Sequence, residues 1–409
     1  MKIVGFAEGA RDDCAGLVAV PMILSSTATR GHSVVLVLAG RPIPGRENFV
    51  VPNFDSALQR KEGLGSFGIV TVAARTRWAF SPSMLWRCSK VVRDADFVTL
   101  HSLYSFPVLA GYFLARLHRK PYGIWPHGVL APIQRKISVG KKHVYNKVFA
   151  DRILRNASVI FYSAQGEREE AANLGLHTPS VIVPDGFNAD EFAALPERGR
   201  FRKRFLSGHE GPLVLFLARL HAKKGLEVLI QAMRSVIAER PDARLAIVGP
   251  PDPASFNKQV LRWVKGNGIE AQTVVPGVAD REMRLEAFAD ADVYTLPSYA
   301  ENFGFSIFEA MACGVPVVVS ADLNYAAEIA RTGAGLTVPR TPEQFSQAIL
   351  SLLDQPEMRR KMGSCGRLLA RKYSLEETGA KVETTLESIL RRFPFPPELA
   401  PMWVAGSQS

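Results

Sequence analysis

The chain has 409 residues, 47% of them hydrophobic and 22% charged, with 32 glycines and 27 prolines. This is the make-up of an ordinary soluble globular protein, and it excludes a disordered tail, a collagen and a disulfide framework. Lys and Arg number 50 against 39 Asp and Glu, a net charge of +11, and the length suggests two or three domains of about 150 residues with large cores.

Lys2–Phe6 is a short apolar run that predicts a first strand. It lacks the basic-then-apolar layout of a signal peptide. Leu17–Ser25 reads as a helix, and Val34–Ala39 has the unbroken apolar run of a buried parallel strand. Ala95–His101 predicts another strand. Phe97–Ala115 is long enough for a membrane span and carries no Asp, Glu, Lys or Arg, but it includes His101, Ser102, Tyr104, Ser105 and Pro107. A buried strand, a turn and a helix are expected there instead. From Phe97 to Ala150 there is no acidic residue and eight basic ones: Arg116, Arg119, Lys120, Arg135, Lys136, Lys141, Lys142 and Lys147. A one-signed segment suits phosphate, anionic lipid or nucleic acid, and equally a solvated basic face. Val159–Ser163 and Val181–Pro184 predict strands around a helix at 164–174.

A charged stretch from Pro196 to Pro212 breaks the pattern, and a linker is expected within 190–212. Domains of 1–195 and 210–374 follow. The alternation restarts with strand Leu213–Ala218, helix Gly225–Arg240, strand Arg244–Val248, strands Thr273–Pro276 and Asp292–Leu296, helix Phe305–Cys313 and strand Val315–Ser320. Helices dominate after Pro342, and 394–409 looks loop-like. Two series of βα units predict two doubly wound α/β domains, with ligands at the carboxyl ends of the strands and in the cleft between the domains.

The chain has no G-x-G-x-x-G after its first strand and no G-x-x-x-x-G-K-[ST], which disfavours nicotinamide and P-loop chemistry. Asp94-Ala-Asp96 and Asp290-Ala-Asp292 each precede a strand and read as helix-to-strand turns, so no metal site is expected. The four cysteines, Cys14, Cys88, Cys313 and Cys365, have neither metal nor redox spacing and fit a reducing compartment.

The strongest motif is the string from Pro297 to Pro316, which joins a strand end, a glycine turn and a helix start and carries Glu301 and Glu309. Backbone N–H groups near Phe303 and Gly304 can hold a phosphate that glycine lets approach. Glu309 suits a cis-diol such as a ribose, and Glu301 suits a sugar. Either glutamate alone would more often be a helix cap or a solvated residue; the whole string would not. In Leu215–Leu226 a strand end is followed by Arg219 and Lys224, two cations able to neutralise a diphosphate, although a plain basic loop reads the same way. In Trp125-Pro-His127-Gly128 a histidine at a strand end can face a sugar or a developing charge. His101 is a weaker candidate, since a lone histidine is more often structural.

Together these motifs resemble glycosyltransferase family 4, retaining enzymes of the GT-B fold, over nearly the whole chain and most closely from 213 to 321. The neighbourhood of Pro126–Leu130 is also similar to members that build bacterial surface polysaccharides. The resemblance implies two Rossmann-like domains facing across a cleft, with a closing helix at 375–393 that crosses back to the first domain. It implies that Arg219 and Lys224 bind the donor diphosphate, that Glu309 binds the ribose, and that Glu301, Asn302, Phe303, Gly304 and Ile307 line the sugar and phosphate. The base would lie near Gly277 and Val278. His127 would sit by the donor sugar, with Gly16 and His101 on the acceptor side. His127, Glu301, Arg219 and Lys224 are the expected catalytic residues.

Pro184-Asp185-Gly186 resembles the family's Pro-Asn-Gly turn, with Asp where Asn is usual, and the loop 8–16 is charged where the family has a glycine-rich loop. The implied reaction is front-face transfer from a UDP- or GDP-linked sugar to a hydroxyl of a glycan or lipid-linked acceptor, with no cofactor and no nucleic acid. The expected location is cytoplasmic, and the basic 116–147 segment is expected to meet either an anionic membrane surface, on the inner face of the cytoplasmic membrane, or a polyprenyl-diphosphate acceptor. A sugar-nucleotide epimerase on the same fold, or a non-catalytic nucleotide-sugar binder, are the alternatives.

Overall fold

The computed structural model describes residues 1–8, 16–40, 59–60, 66–74, 78–130, 145–301 and 303–391. Most of the loop 8–16, Arg135, Lys136, Lys141, Lys142, Asn302 and the tail 394–409 lie outside the described residues, as does the side chain of Lys147. The chain divides into two compact units, one of residues 1–186 with 375–409 and the other of 187–374.

The first unit is built on an eight-stranded sheet. Its strands are β1 (Lys2–Glu8), β2 (Ser33–Gly40), β3 (Gln59–Arg60), β4 (Ser66–Ala73), β5 (Phe97–His101), β6 (Tyr122–Trp125), β7 (Val159–Tyr162) and β8 (Ser180–Ile182). Their order is β3-β4-β2-β1-β5-β6-β7-β8, parallel except for the antiparallel β3–β4 pair. Val34, Leu36, Phe97, Val98 and Ile160 are fully buried, as expected of parallel strands covered on both faces. Phe97–Ala115 forms β5, a turn and a helix, the arrangement its polar residues predict. Ser66–Ala73, a strand that the sequence reading did not pick out, pairs with β2.

The helices of this unit are α1 (Gly16–Ala28), α2 (Ser83–Asp94), α3 (Phe106–Leu117), α4 (Asp151–Arg155) and α5 (Gln165–Glu170), together with Leu375–Arg391 from the far end of the chain. That last helix packs on α1. Gly379 makes the approach possible, since a Cβ there would come within 2.7 Å of Ser26 O. Glu383 fastens the contact, lying 2.5 Å from Arg30 Nε and 2.8 Å from His32 Nε2. The sheet order reverses direction between β1 and β5, and His101 is the last residue of β5. The carboxyl ends of those strands form the topological switch point where such sheets bind ligands.

The second unit has six parallel strands: β9 (Leu213–Leu217), β10 (Arg244–Val248), β11 (Thr273–Gly277), β12 (Val293–Leu296), β13 (Val317–Ser320) and β14 (Gly335–Val338). Their order, β11-β10-β9-β12-β13-β14, is the nucleotide-binding order, with its switch point between β9 and β12. The helices are α6 (Arg200–Phe205), α7 (Leu226–Glu239), α8 (Phe256–Gly266), α9 (Arg281–Asp290), α10 (Phe305–Ala312), α11 (Ala326–Thr332), α12 (Pro342–Asp354) and α13 (Pro356–Arg371). Leu375–Arg391 is then α14.

Both Asp-Ala-Asp turns lie between a helix and a strand. The second one also organises its surroundings. Asp290 accepts hydrogen bonds from the Gly199 and Arg202 backbone, and Asp292 lies 2.9 Å from the buried Arg202 guanidinium. Residues 199–202, where the sequence suggested a linker, are thereby packed into the second unit. No helix among the described residues is long and apolar enough to cross a membrane.

Candidate active site

In the second unit the two strongest motifs meet. Arg219 and Lys224 follow β9, and Glu301 follows β12, so all three stand at the switch point. The loops are laced together. Tyr299 N donates to Lys223 O at 2.8 Å. Gly225 has φ +67°, and a Cβ there would come within 2.0 Å of Pro297 O, so only glycine lets the backbones touch.

Lys224 Nζ donates to both carboxylate oxygens of Glu301, at 2.6 and 2.8 Å, and Ser298 Oγ donates to the same carboxylate. Arg219 Nη1 lies 2.6 Å from Asp252 Oδ2 in the loop after β10. Each cation of the expected diphosphate site therefore has an acidic partner within the unit. Glu301 was singled out from sequence; Asp252 was not, and it carries no signal beyond following a strand.

Gly304 precedes α10 in the left-handed conformation at φ +79° and aims the helix start. The Phe303 ring is buried and stacks on Phe308 with centroids 4.5 Å apart, so its backbone alone can face a ligand. Ile307 is also buried. Gly277 ends β11 with its carbonyl accepting from Gly249 N at 2.8 Å, and Val278 is exposed. Among these positions Asn302 lies outside the described residues.

Glu309, on α10, is 8% exposed. Burial pushes its carboxyl up to about 7; Arg284 pulls it down and Glu191 adds to the rise. Arg284 Nη1 donates to Glu309 Oε1 at 3.3 Å, while Nη2 donates to Glu191, which Arg281 Nε also approaches at 3.3 Å. Arg284 sits 25 positions from Glu309, and nothing in its local sequence marks it. A buried carboxylate held by Arg284 in this way can accept from a diol hydroxyl.

In the first unit, His127 follows β6 with a left-handed backbone at φ +51°, a conformation uncommon outside glycine. Its Nε2 is 3.2 Å from His101 Nδ1, and its Nδ1 is 3.6 Å from Asp185 Oδ1. His101 lies behind it, buried between Trp125 and His127, with Nε2 3.2 Å from Thr99 Oγ1. Gly128 N donates to Glu167 Oε1 at 2.6 Å, and Ser163 holds the other oxygen of Glu167 through its N and Oγ at 2.7 Å. Gly16 opens α1, directly after residues outside the described set. Among the described residues no group of three His, Cys, Asp or Glu side chains is placed to hold a metal ion.

Residues 197–368 match the family described as glycosyl transferases group 1, and residues 17–186 match the glycosyl transferase 4-like domain. A D-inositol 3-phosphate glycosyltransferase of Kineococcus radiotolerans is 30% identical over 257 residues, 58% of this chain and 56% of that relative, so this match spans little more than half of either protein. A phosphatidyl-myo-inositol mannosyltransferase of Mycobacterium tuberculosis is 26% identical over 382 residues, 88% of this chain and 89% of the relative. The crystal structure of Anabaena HepE in complex with UDP and glucose shares the fold, with a TM-score of 0.74 and 16% identity over 95% of this chain and 100% of that one. Each of the two units thus carries glycosyltransferase sequence on a parallel-sheet Rossmann-like scaffold, and the chain belongs to the family 4 glycosyltransferases of the GT-B fold.

Proposed function

We propose that this enzyme is a retaining transferase that moves a sugar from a UDP- or GDP-linked donor to a hydroxyl of a lipid-linked or surface-polysaccharide glycan. The observation that carries this reading is the placement of Arg219 and Lys224 at the switch point beside Glu301. Two cations there can take up the diphosphate, including the charge that builds as the sugar departs, without a metal ion. The start of α10, through the backbone of Phe303 and Gly304, receives a phosphate oxygen. Glu309 accepts from the ribose hydroxyls, and Gly277 and Val278 border the base through main chain. Glu301 contacts the transferred sugar. In the first unit, His127, with Gly16 and His101, is assigned to the acceptor.

The chemistry asked of the protein is positioning and charge stabilisation, with the leaving phosphate taking the acceptor proton as the new glycosidic bond forms on the same face. Relatives named for inositol-containing acceptors support a phosphorylated or lipid-linked acceptor.

The enzyme would meet that acceptor on the anionic inner face of the cytoplasmic membrane. In support, α2 and α3 pack side by side and expose Trp86, Phe113 and Leu117 together with Arg87, Lys90, Arg93 and Arg116, with exposed Arg119 in the turn after α3. Aromatic and aliphatic side chains among cations suit a bilayer interface.

The donor reading is tested by thermal stabilisation with UDP, GDP, ADP and their sugar conjugates. Ligand at a hundred times its dissociation constant adds about 2.7 kcal/mol, so one base should raise Tm clearly. A flat response to all of them would sink the assignment of the second unit to the donor.

A further inference from the structure

The turn at Pro184-Asp185-Gly186 holds a carboxylate against His127, and its environment is unusual. Asp185 is 4% exposed. Its Oδ1 has no hydrogen-bond partner among the described residues, and the imidazole Nδ1 lies opposite it at 3.6 Å. A buried carboxylate is costly unless an opposite charge compensates it. The turn itself is fixed from behind. Thr378 Oγ1, on α14, donates to Pro184 O at 3.1 Å, and Gly186 has φ +72° with room for no side chain against Thr378. Glu167 fixes the other flank by accepting from Gly128 N, next to the left-handed His127.

The far side of the ring is occupied as well, since His127 Nε2 meets His101 Nδ1 at 3.2 Å. His101 is 1% exposed, and its other nitrogen meets Thr99 Oγ1. A neutral imidazole has one donor and one acceptor nitrogen. If His127 carries both protons, His101 Nδ1 accepts and His101 Nε2–H donates to Thr99, so the buried chain is satisfied from Asp185 to Thr99.

We propose that Asp185 is a positioning residue for His127: it clamps Nδ1 while His101 holds Nε2, so the ring serves the acceptor as a fixed positive charge and not as a proton donor. This rests on the transferase reading above. The titration directions agree. Burial works to lower the His127 value, but the adjoining Asp185 carboxylate and the charge of Glu167 outweigh it and the net shift is upward. His101 is held well below its usual range by burial and by His127. Among the described residues, the charged and titratable groups seen to face the ring are Asp185 from the turn after β8, Glu167 from α5 and His101 from β5. Asp is what the clamp requires; the Asn usual at this turn would fill the same space without the charge.

The test is Asp185→Asn, a near-isosteric change that keeps a residue suited to the turn, with Asp185→Glu as the charge-retaining companion. In the ligand-free protein the His127 ring is titrated by NMR. Its midpoint should fall by at least one pH unit in Asp185→Asn and stay close to the wild-type value in Asp185→Glu. An unmoved midpoint in Asp185→Asn overturns the clamp, whatever the enzyme transfers. Activity is the second arm. The alkaline limb of kcat should move down with the midpoint, costing tenfold or more at pH 8 and recovering at pH 6, with the donor KM unchanged. A moved midpoint with an unmoved kcat profile shows that the charge is not used and overturns the proposal at that step. Absence of any transfer by the wild-type protein would count against the transferase reading and leave the NMR arm decisive for the clamp.

Discussion

Lys224 and Glu301 stand 77 positions apart in the chain, yet the ammonium of the first donates to both carboxylate oxygens of the second. The pair is largely shielded, with side-chain exposures of 17% and 9%, so it is screened less than a surface pair. An incoming diphosphate competes with Glu301 for the same cation. Glu301→Gln should therefore bind free nucleoside diphosphate more tightly, on the order of tenfold, while transferring sugar more slowly because its contact to the sugar is weakened. Lys224→Ala should lower kcat by about 10²–10³, the cost of one lost donor at a developing charge. Isothermal titration and initial rates on the two variants check this; unchanged nucleotide affinity in both would remove Lys224 from the diphosphate site.

Glu309 gives a pH dependence whose sign can be worked out. Its carboxyl titrates at about 7 in the fold against an ordinary 4.5, chiefly because it is buried. A folded-state value raised above the unfolded one means the folded chain binds the extra proton, so this group's contribution to stability is full below about 4.5 and is lost as pH rises through about 7. The loss amounts to about 3 kcal/mol. Glu309→Gln should thus match the wild type in Tm near pH 4.5 and exceed it at pH 8. The same substitution should weaken donor binding at pH 8, where the ionised carboxylate accepts best from hydroxyls. Removing Arg284, which opposes the rise, should push the Glu309 midpoint higher and carry the onset of donor binding to higher pH. Equal Tm for Glu309→Gln and wild type across pH 4.5–8 would show that burial does not strain this carboxylate.

Much of this site could be read from sequence because its residues are local to strand ends. Pro297–Pro316 folds as strand end, turn and helix in the order its glycines and apolar residues specify, and the polar residues of Phe97–Ala115 announce the turn between β5 and α3. What escaped was non-local. Asp252, Arg284 and Glu191 act on Arg219 and Glu309 across separations of 33, 25 and more positions, and each lies in an unremarkable stretch. Ser66–Ala73 escaped for another reason: glycine, serine and threonine dilute its apolar pattern, and its place in the sheet comes from pairing with β2.

Gly225 makes a prediction about how the two loops are held. It has φ +67°, and an added Cβ would sit 2.0 Å from the Pro297 carbonyl, so Gly225→Ala must both strain its own backbone and part the β9 and β12 loops. Gly208, at φ +77° with nothing within 4 Å of its added Cβ, isolates the first effect. Gly208→Ala should cost about 1 kcal/mol and leave donor binding intact, whereas Gly225→Ala should cost about 2–3 kcal/mol and abolish it. Equal losses in Tm for the two variants would mean that contact between the loops contributes nothing to the donor site.

The exposed apolar residues of α2 and α3 give a prediction that separates charge from insertion. Trp86 is 68% exposed and Leu117 70%, with Arg87, Lys90 and Arg93 along α2 and Arg116 and Arg119 by Leu117. If the basic residues alone attract an anionic surface, raising the salt from 0.1 to 0.5 M should release the protein completely, because the screening length shrinks from about 10 Å to under 5 Å. If the apolar side chains also enter the interface, part of the binding survives salt and depends on them. Trp86→Ser with Leu117→Ser should then lower partition onto phosphatidylglycerol-containing vesicles by about tenfold or more, on an apolar gain of roughly 25 cal/mol per Å², and leave the thermal shift by nucleotide untouched. Flotation of the wild type and the double variant at both salt concentrations decides. If the wild type does not float at low salt, the membrane reading fails. If both proteins float alike, the basic residues act without the apolar ones.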